Sequence, residues 1–294
     1  MKRIVIVFFS IILFSSTISC QIINEGKYLN LLKNAKDYDL NEKNEDIEFT
    51  YQSKKDKNLK LLKNTYNLDS IAGKGNDISK VINLMRWIHN LIPWDGCKGI
   101  PDKRNAYNMI EVCKTENRTL NCRGLAITLN EVYLAMGYKS RYVTCMPKDS
   151  TDNDCHVINM VYIKSLHKWI WMDPTFEAYV MNEKGELLSI EEVRDRLIND
   201  KPMIINPDAN WNHKHSQTIK RYLYSYMAKN LYRIECAIKS EYNYETKEEG
   251  KKREFIQLIP LDYKKYANIK HNHGIRGSIK TYYISDPLLF WEKP

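Results

Sequence analysis

No two of the seven cysteines in this 294-residue chain stand at C-x-x-C spacing, so the usual paired-cysteine zinc pattern is absent. Beyond the N-terminal segment, no apolar run approaches the length needed to cross a bilayer. Lysines and arginines are scattered, often beside Asn, Asp or Glu, and form no basic stripe interleaved with aromatics. The formal net charge of +9 therefore reads as a solvated surface, and no nucleic-acid partner is expected. There is no internal repeat. His213 with His215, and His271 with His273, have i,i+2 spacing, but neither pair has a third ligand near it in sequence. No metal or cofactor is expected.

What is present begins with a targeting signal. Lys2 and Arg3 precede an apolar run from Ile4 to Phe14, broken only by Ser10. That run is too short for a membrane span and fits a signal-peptide core. It ends in Ser16-Thr17-Ile18-Ser19-Cys20, which resembles a bacterial lipoprotein cleavage box with Thr17 where leucine is usual. The resemblance implies a signal peptide over 1–19, lipidation of Cys20, and a cell-envelope protein held at a membrane and facing the periplasm or the surface. A plain secretory signal and an uncleaved anchor are the alternatives. Removal of residues 1–19 leaves 275 residues and, without Lys2 and Arg3, a net charge of +7. An exported compartment permits disulfides. With Cys122 kept free, Cys97, Cys113, Cys145, Cys155 and Cys236 are an odd set. Cys97 with Cys113, and Cys145 with Cys155, are open pairings.

The Lys-, Asn-, Asp- and Glu-rich stretch 20–60 reads as a spacer with one short helix. Residues 61–200 read as the core, and 201–294 as a β-rich C-terminal extension packed on it. Val81, Leu84, Met85, Ile88 and Leu91 predict a helix over 78–92, with Asp77 or Ser79 as cap and Pro93 as stop. Residues 93–121 read as loop. Leu125, Leu129, Val132 and Met136 line one face of a helix from Cys122 to Met136, capped by Asn121 and stopped by Gly137. Strands are predicted at 139–146, 156–163 and 168–173. Ser189-Ile190-Glu191-Glu192 opens a further helix with a capping box. A hairpin over 233–261 follows.

Cys122, His156 and Asp173 carry the chemistry. A thiolate is the nucleophile, and the partial positive charge of a helix N-terminus favours that form at Cys122. The N–H groups there suit an oxyanion. The bland alternative is a buried structural cysteine. A turn near Lys164 to His167 pairs the strand opened by His156 with the strand closed by Asp173. Two registers put them on one sheet face, directly opposite or diagonal, and the intermediate register puts them on opposite faces. On one face, Asp173 orients the imidazole as the carboxylate of a catalytic triad does.

Cys122-Arg123-Gly124-Leu125-Ala126, then His156, then Trp169 or Trp171 with Asp173-Pro174-Thr175, resemble the transglutaminase-like superfamily, whose core is similar to that of papain-type thiol proteases. Gly137-Tyr138-Lys139-Ser140-Arg141-Tyr142-Val143 and Arg86-Trp87-Ile88-His89 extend the match over about 78–180. The resemblance implies an α+β fold in which the cysteine helix packs on an antiparallel sheet. It implies Cys122 as nucleophile, His156 as base and acid, and Asp173 as orienter. It departs at His156-Val157-Ile158, where relatives often have His-Ala-Trp, and it lacks the acidic run of calcium-dependent members. Trp94 is the nearest candidate for the aromatic that assists the oxyanion, against a plain packing role. The expected function is thiol-dependent acyl transfer on the amide bonds of a peptide or protein substrate, with hydrolysis favoured over cross-linking. The alternative is a catalytically inactive binding or structural module of the envelope. Sequence leaves the oligomeric state open.

Overall fold

A computed structural model describes residues 26–42, 47–266, 269 and 273–294. The signal-peptide and Cys20 readings fall outside the described residues. Among the described residues, no helix is long and apolar enough to cross a membrane.

Helical residues 26–33 (α1) and strand β1 (Thr50–Tyr51) precede helices α2 (Lys57–Thr65), α3 (Leu68–Ala72), α4 (Asp77–Leu91), α5 (Ala106–Thr115) and α6 (Cys122–Met136). Strands β2 (Ser140–Met146), β3 (His156–Ile163), β4 (Lys168–Met172) and β5 (Val180–Met181) lead to helix α7 (Ile190–Ile198). The short strands β6 (Ile204–Ile205), β7 (Asn210–Trp211) and β8 (His215–Ser216) come before a π-helical segment, Lys220–Met227. Strands β9 (Arg233–Ala237), β10 (Lys239–Ser240), β11 (Arg253–Leu258), β12 (His273–Arg276) and β13 (Ile279–Ile284) complete the set.

Seven strands form one sheet in the order β12-β13-β11-β9-β2-β3-β4. The fold is α+β, as expected, but β11 and β13 run parallel, so the sheet is mixed rather than wholly antiparallel. Strand alternation sends successive side chains to opposite faces. Val157, Val161, Ile170 and Met172 face the core under α2 to α6. Ile158, Met160, Trp169 and Trp171 face a second core under α1, α7 and the C-terminal residues Phe290 and Trp291. Both faces of the sheet are therefore covered.

The cysteine helix is more central than one apolar stripe implies. The sheet lies on one side of α6 and α2, α4 and α5 on the others, so twelve of its fifteen residues are buried. Three of the twelve, Thr128, Asn130 and Glu131, are polar and each has a partner. Glu131 accepts the backbone N–H groups of Ala106 at 2.6 Å and Asn243 at 2.8 Å, which fixes the start of α5. Burial pushes the Glu131 carboxyl up to about 8, against those two hydrogen bonds. Helix α4 is capped by Asn76, one residue before Asp77 and three before Ser79, the two caps expected. The predicted caps of α6 and α7 form as expected, including the reciprocal Ser189–Glu192 box.

Three boundary readings change. Residues 93–121 contain α5, whose Ala106, Met109, Ile110 and Cys113 are buried. Flanking Gly and Pro hid that spacing. The stretch 20–60 is no free spacer over its described part. Leu32 and Phe49 are buried, β1 pairs with β10, and Leu59 and Leu62 of α2 enter the helical core. Its charges lie on outward faces, which is why composition alone suggested a solvated linker. A boundary at 200 cuts the sheet, because β9 hydrogen-bonds directly to β2. The β9–β11 hairpin is part of the sheet, not an appendage to it.

Candidate active site

Asn121 Oδ1 accepts the Gly124 N–H at 3.0 Å, and this cap starts α6 with Cys122 as its first residue. Cys122 is half-buried. Strand β3 begins at His156, and Asn159↔Met172 sets the β3–β4 register. That is the diagonal register: Asp173 continues β4 on the face that carries His156. His156 Nε2 lies 2.7 Å from Asp173 Oδ2, which leaves Nδ1 for the Cys122 sulfur, to which the ring also hydrogen-bonds. The structure thus brings Cys122, His156 and Asp173 together. By alternation, His156 and Asp173 belong to the sheet face away from α6. The cysteine meets them past the end of the sheet, where β3 begins.

Asp173 is fully buried and each oxygen is engaged. Oδ1 accepts the N–H groups of Thr175 at 2.9 Å and Phe176 at 3.3 Å, and Oδ2 accepts Tyr222 Oη–H at 2.6 Å as well as the imidazole. Trp171 Nε1 donates to Tyr222 Oη at 3.0 Å. Burial alone would lower the His156 pKa. The Asp173 charge and hydrogen bond, reinforced by Cys122, outweigh burial and raise it to about 10. The ring is therefore an imidazolium at neutral pH, a ready proton donor. Phe176 and Tyr226 pack on it at 5.3 Å each and exclude water.

Tyr222 and Tyr226 come from the π-helical segment and are not among the site residues named from sequence. Their i,i+4 spacing was the available signal. π-Helical turns recur at functional sites. Lys229 was also missed. It holds Asp152 at 3.1 Å and Asp154 at 2.6 Å, which tethers the segment before His156.

Trp94 sits beside the start of α6. Its backbone bridges Leu120, and Asn212 binds its N–H and C=O at 2.8 and 2.9 Å. The Trp94 ring meets Trp211 edge-on at 5.3 Å. The indole N–H groups of both residues are buried without a partner. Trp94, Trp211, Phe176, Tyr222, Tyr226 and Arg221 line a cavity of about 750 Å³ against the His156 side of the site. A Cβ on Gly96 would lie 2.8 Å from the Trp94 ring, so only glycine allows the loop this close. A second cavity, of about 550 Å³, is lined by Arg104, Arg123, Arg253 and Arg276 but by none of the triad.

The other cysteines separate from Cys122 by environment. All six described cysteines are free thiols, so neither open pairing forms. Burial pushes the Cys145 thiol well up, Cys113 to about 11 and Cys236 to about 12. Burial also raises Cys155. Buried, protonated thiols are poor nucleophiles. His167 occupies the β3–β4 turn with positive φ, the turn role expected of it.

The sequence pattern of the Transglutaminase-like superfamily matches residues 64–174. No curated protein matches the chain significantly. Among solved structures, a chain from Cytophaga hutchinsonii named as a candidate cysteine protease is similar at 18% identity and a TM-score of 0.33. The alignment covers 56% of this chain and 56% of that one, so this chain spans little more than half of its length. The matched stretch runs from the end of α2 through α6, β2 and β3 to the residue after Asp173, and so contains Cys122, His156 and Asp173. Over residues 64–174, then, this chain is similar to the transglutaminase-like superfamily.

Proposed function

We propose that this protein is a thiol enzyme that opens amide bonds of a peptide or protein by acyl transfer. The observation that carries the reading is the buried Asp173–His156 pair set against a cysteine at a helix N-terminus. The Cys122 thiolate attacks the amide carbonyl, and a C–S bond forms as the C=O π pair moves to oxygen. The Trp94 indole N–H and the backbone N–H at the start of α6 hold that oxyanion. His156 Nδ1 gives its proton to the departing amine, the C–N bond breaks, and a thioester remains. His156 then takes a proton from water, the resulting hydroxide bonds to the thioester carbon, and the C–S bond breaks to release the acid and return the Cys122 thiolate. An amine in place of water gives transamidation with the same residues. Hydrolysis is the favoured outcome, because water needs no binding site beyond the one that holds the peptide.

The test is labelling by a thiol-directed electrophile, followed by profiling with peptide and amine substrates. Wild type should label at Cys122 far faster than a His156→Ala variant and should release free acid from a peptide amide. Equal labelling rates would falsify the enzymatic reading and favour a binding module. Lipid attachment at Cys20 and an envelope location complete the proposal. They predict a lipid mass on the N-terminal peptide that a Cys20→Ala variant lacks.

A further inference from the structure

His89, Glu177 and His213 lie far apart in sequence, yet their ligand atoms all fall within 4.8 Å of one another. We propose that they form a binding site for a divalent transition-metal ion, zinc by preference, distinct from the triad. The His pairs considered from sequence were i,i+2 neighbours. The structure instead joins one member, His213, to α4 and to the turn after Asp173.

His89 is buried, and its Nδ1 is 3.0 Å from the Pro174 carbonyl oxygen. That acceptor takes the Nδ1 proton and leaves Nε2 as the inward-facing ring nitrogen, the arrangement that supports metal-bound histidines. Nε2 faces only electron-pair donors: Asn210 Oδ1 at 3.1 Å and Glu177 Oε2 at 3.7 Å. The Asn210 amide cannot turn over without loss. Its Oδ1 accepts the His213 N–H at 2.8 Å, and its Nδ2 donates to Glu177 Oε2 and to the Asp208 carbonyl, each at 2.9 Å. Arg86 holds the other Glu177 oxygen at 3.1 Å, which leaves Oε2 to point at the histidines.

The backbone supplies an independent sign. His213 occupies the β7–β8 turn at φ 56°, next to Asn212 at φ 50°. Two successive positive-φ residues make the tight hairpin turn in which glycine is favoured at the second position. A histidine there accepts backbone strain and places its ring against His89, with centroids 4.8 Å apart. Zinc bonds of about 2.0–2.1 Å in tetrahedral array place donors nearer together than the widest separation here, and the exposed His213 ring is free to swing inward. Two imidazoles, one carboxylate and a fourth position open to water or Asn210 Oδ1 match zinc's preferences. A bound ion would pin the β7–β8 hairpin, with Trp211 and the Asn212 that holds Trp94, onto α4.

The experiment titrates Zn²⁺ into the full chain carrying Cys122→Ala, so that the reactive thiol cannot bind the ion. Calorimetry should show one equivalent bound. His213→Ala, an exposed-turn change that leaves the fold intact, should weaken binding by more than the about 10–100-fold that loss of a supporting group costs. Co²⁺ substitution should give intense visible bands of a four-coordinate nitrogen–oxygen site without thiolate charge transfer. The proposal is overturned if Zn²⁺ binding is absent or is unchanged by His213→Ala. A thiolate band in the Co²⁺ spectrum also overturns it, because it would assign the ion to a cysteine.

Discussion

Tyr222 and His156 share one acceptor: Asp173 Oδ2 lies 2.6 Å from the Tyr222 hydroxyl and 2.7 Å from His156 Nε2. Tyr222 thereby fixes the carboxylate that fixes the imidazole. Replacing Tyr222 with Phe removes this bond and leaves Trp171 Nε1 without its acceptor. Hydrogen bonds to charged groups contribute about 1.5–3 kcal/mol, so Tyr222→Phe should lower unfolding stability by that amount in urea titrations. Labelling at Cys122 should slow as well. A stability change within about 0.5 kcal/mol, the range of inert surface substitutions, would remove Tyr222 from this role.

The raised His156 pKa sets a pH window. A group raised from 6.5 to about 10 stabilises the fold fully below 6.5 and loses that contribution as pH rises through about 10. Amide turnover needs the imidazolium as proton donor. The alkaline limb of kcat should therefore lie toward pH 10 in wild type. Asp173→Asn should move it down toward that of an ordinary imidazole, because the charge that holds the proton is gone. A limb unmoved by Asp173→Asn would mean that another group supplies the proton.

The unpaired indole of Trp94 gives a sharper test of the oxyanion role. Trp94→Phe keeps a ring against Trp211 but removes the N–H. Loss of one oxyanion donor costs about 10²–10³ in kcat, with little change in KM. Gly96→Ala should give a smaller loss of the same kind, since its Cβ would push the ring away. Unchanged kcat in Trp94→Phe would reduce Trp94 to packing.

Glu245 predicts the acid response. It pairs with Arg123, accepts Tyr142 Oη–H at 2.9 Å, and lies 3.6 and 3.8 Å from Arg104 and Arg253. Burial alone would raise its pKa, but Arg123 and the other partners hold it below the ordinary value of 4.5. Its contribution is present above pH 4.5 and is lost as pH falls through the depressed value. Glu245→Gln should cost about 3 kcal/mol near neutrality, the lower end for a broken buried pair, because Arg123 keeps some contact with water. The variant should also show a flatter acid limb in thermal unfolding between pH 5 and pH 3.

The triad could be read in the sequence because each member stands at an element end with a local signature: a capped helix start, a strand start and a strand end. The period-2 rule narrowed the register to two choices, and Asn159↔Met172 selects between them. Tyr222, Asn210 and Glu177 could not be placed this way. They reach the site from elements whose packing is set by the whole fold, and isolated tyrosines, asparagines and glutamates carry no periodic mark. Helix α5 was lost between Gly and Pro signals although its buried residues keep helical spacing. The described part of 20–60 was misread because composition counts charges without telling which face of an element bears them.

Arg141 on β2 is buried and, among the described residues, has no carboxylate partner. Its guanidinium lies 3.5 Å from the Phe49 ring centroid and donates to Tyr51 Oη at 2.7 Å and to the carbonyls of Phe290 at 2.8 Å and Glu292 at 3.2 Å. Asp39 N–H closes on the Ser285 carbonyl at 2.7 Å. These contacts impose an order of assembly. While the chain is being made, β2 carries a charge whose neutral cage is supplied from both sides of the sequence, and half of that cage is synthesised about 150 residues later. Trp169 on the same face lacks the acceptor for its indole N–H until the Glu292 carbonyl arrives. Closure of this cage therefore waits for the last residues of the chain.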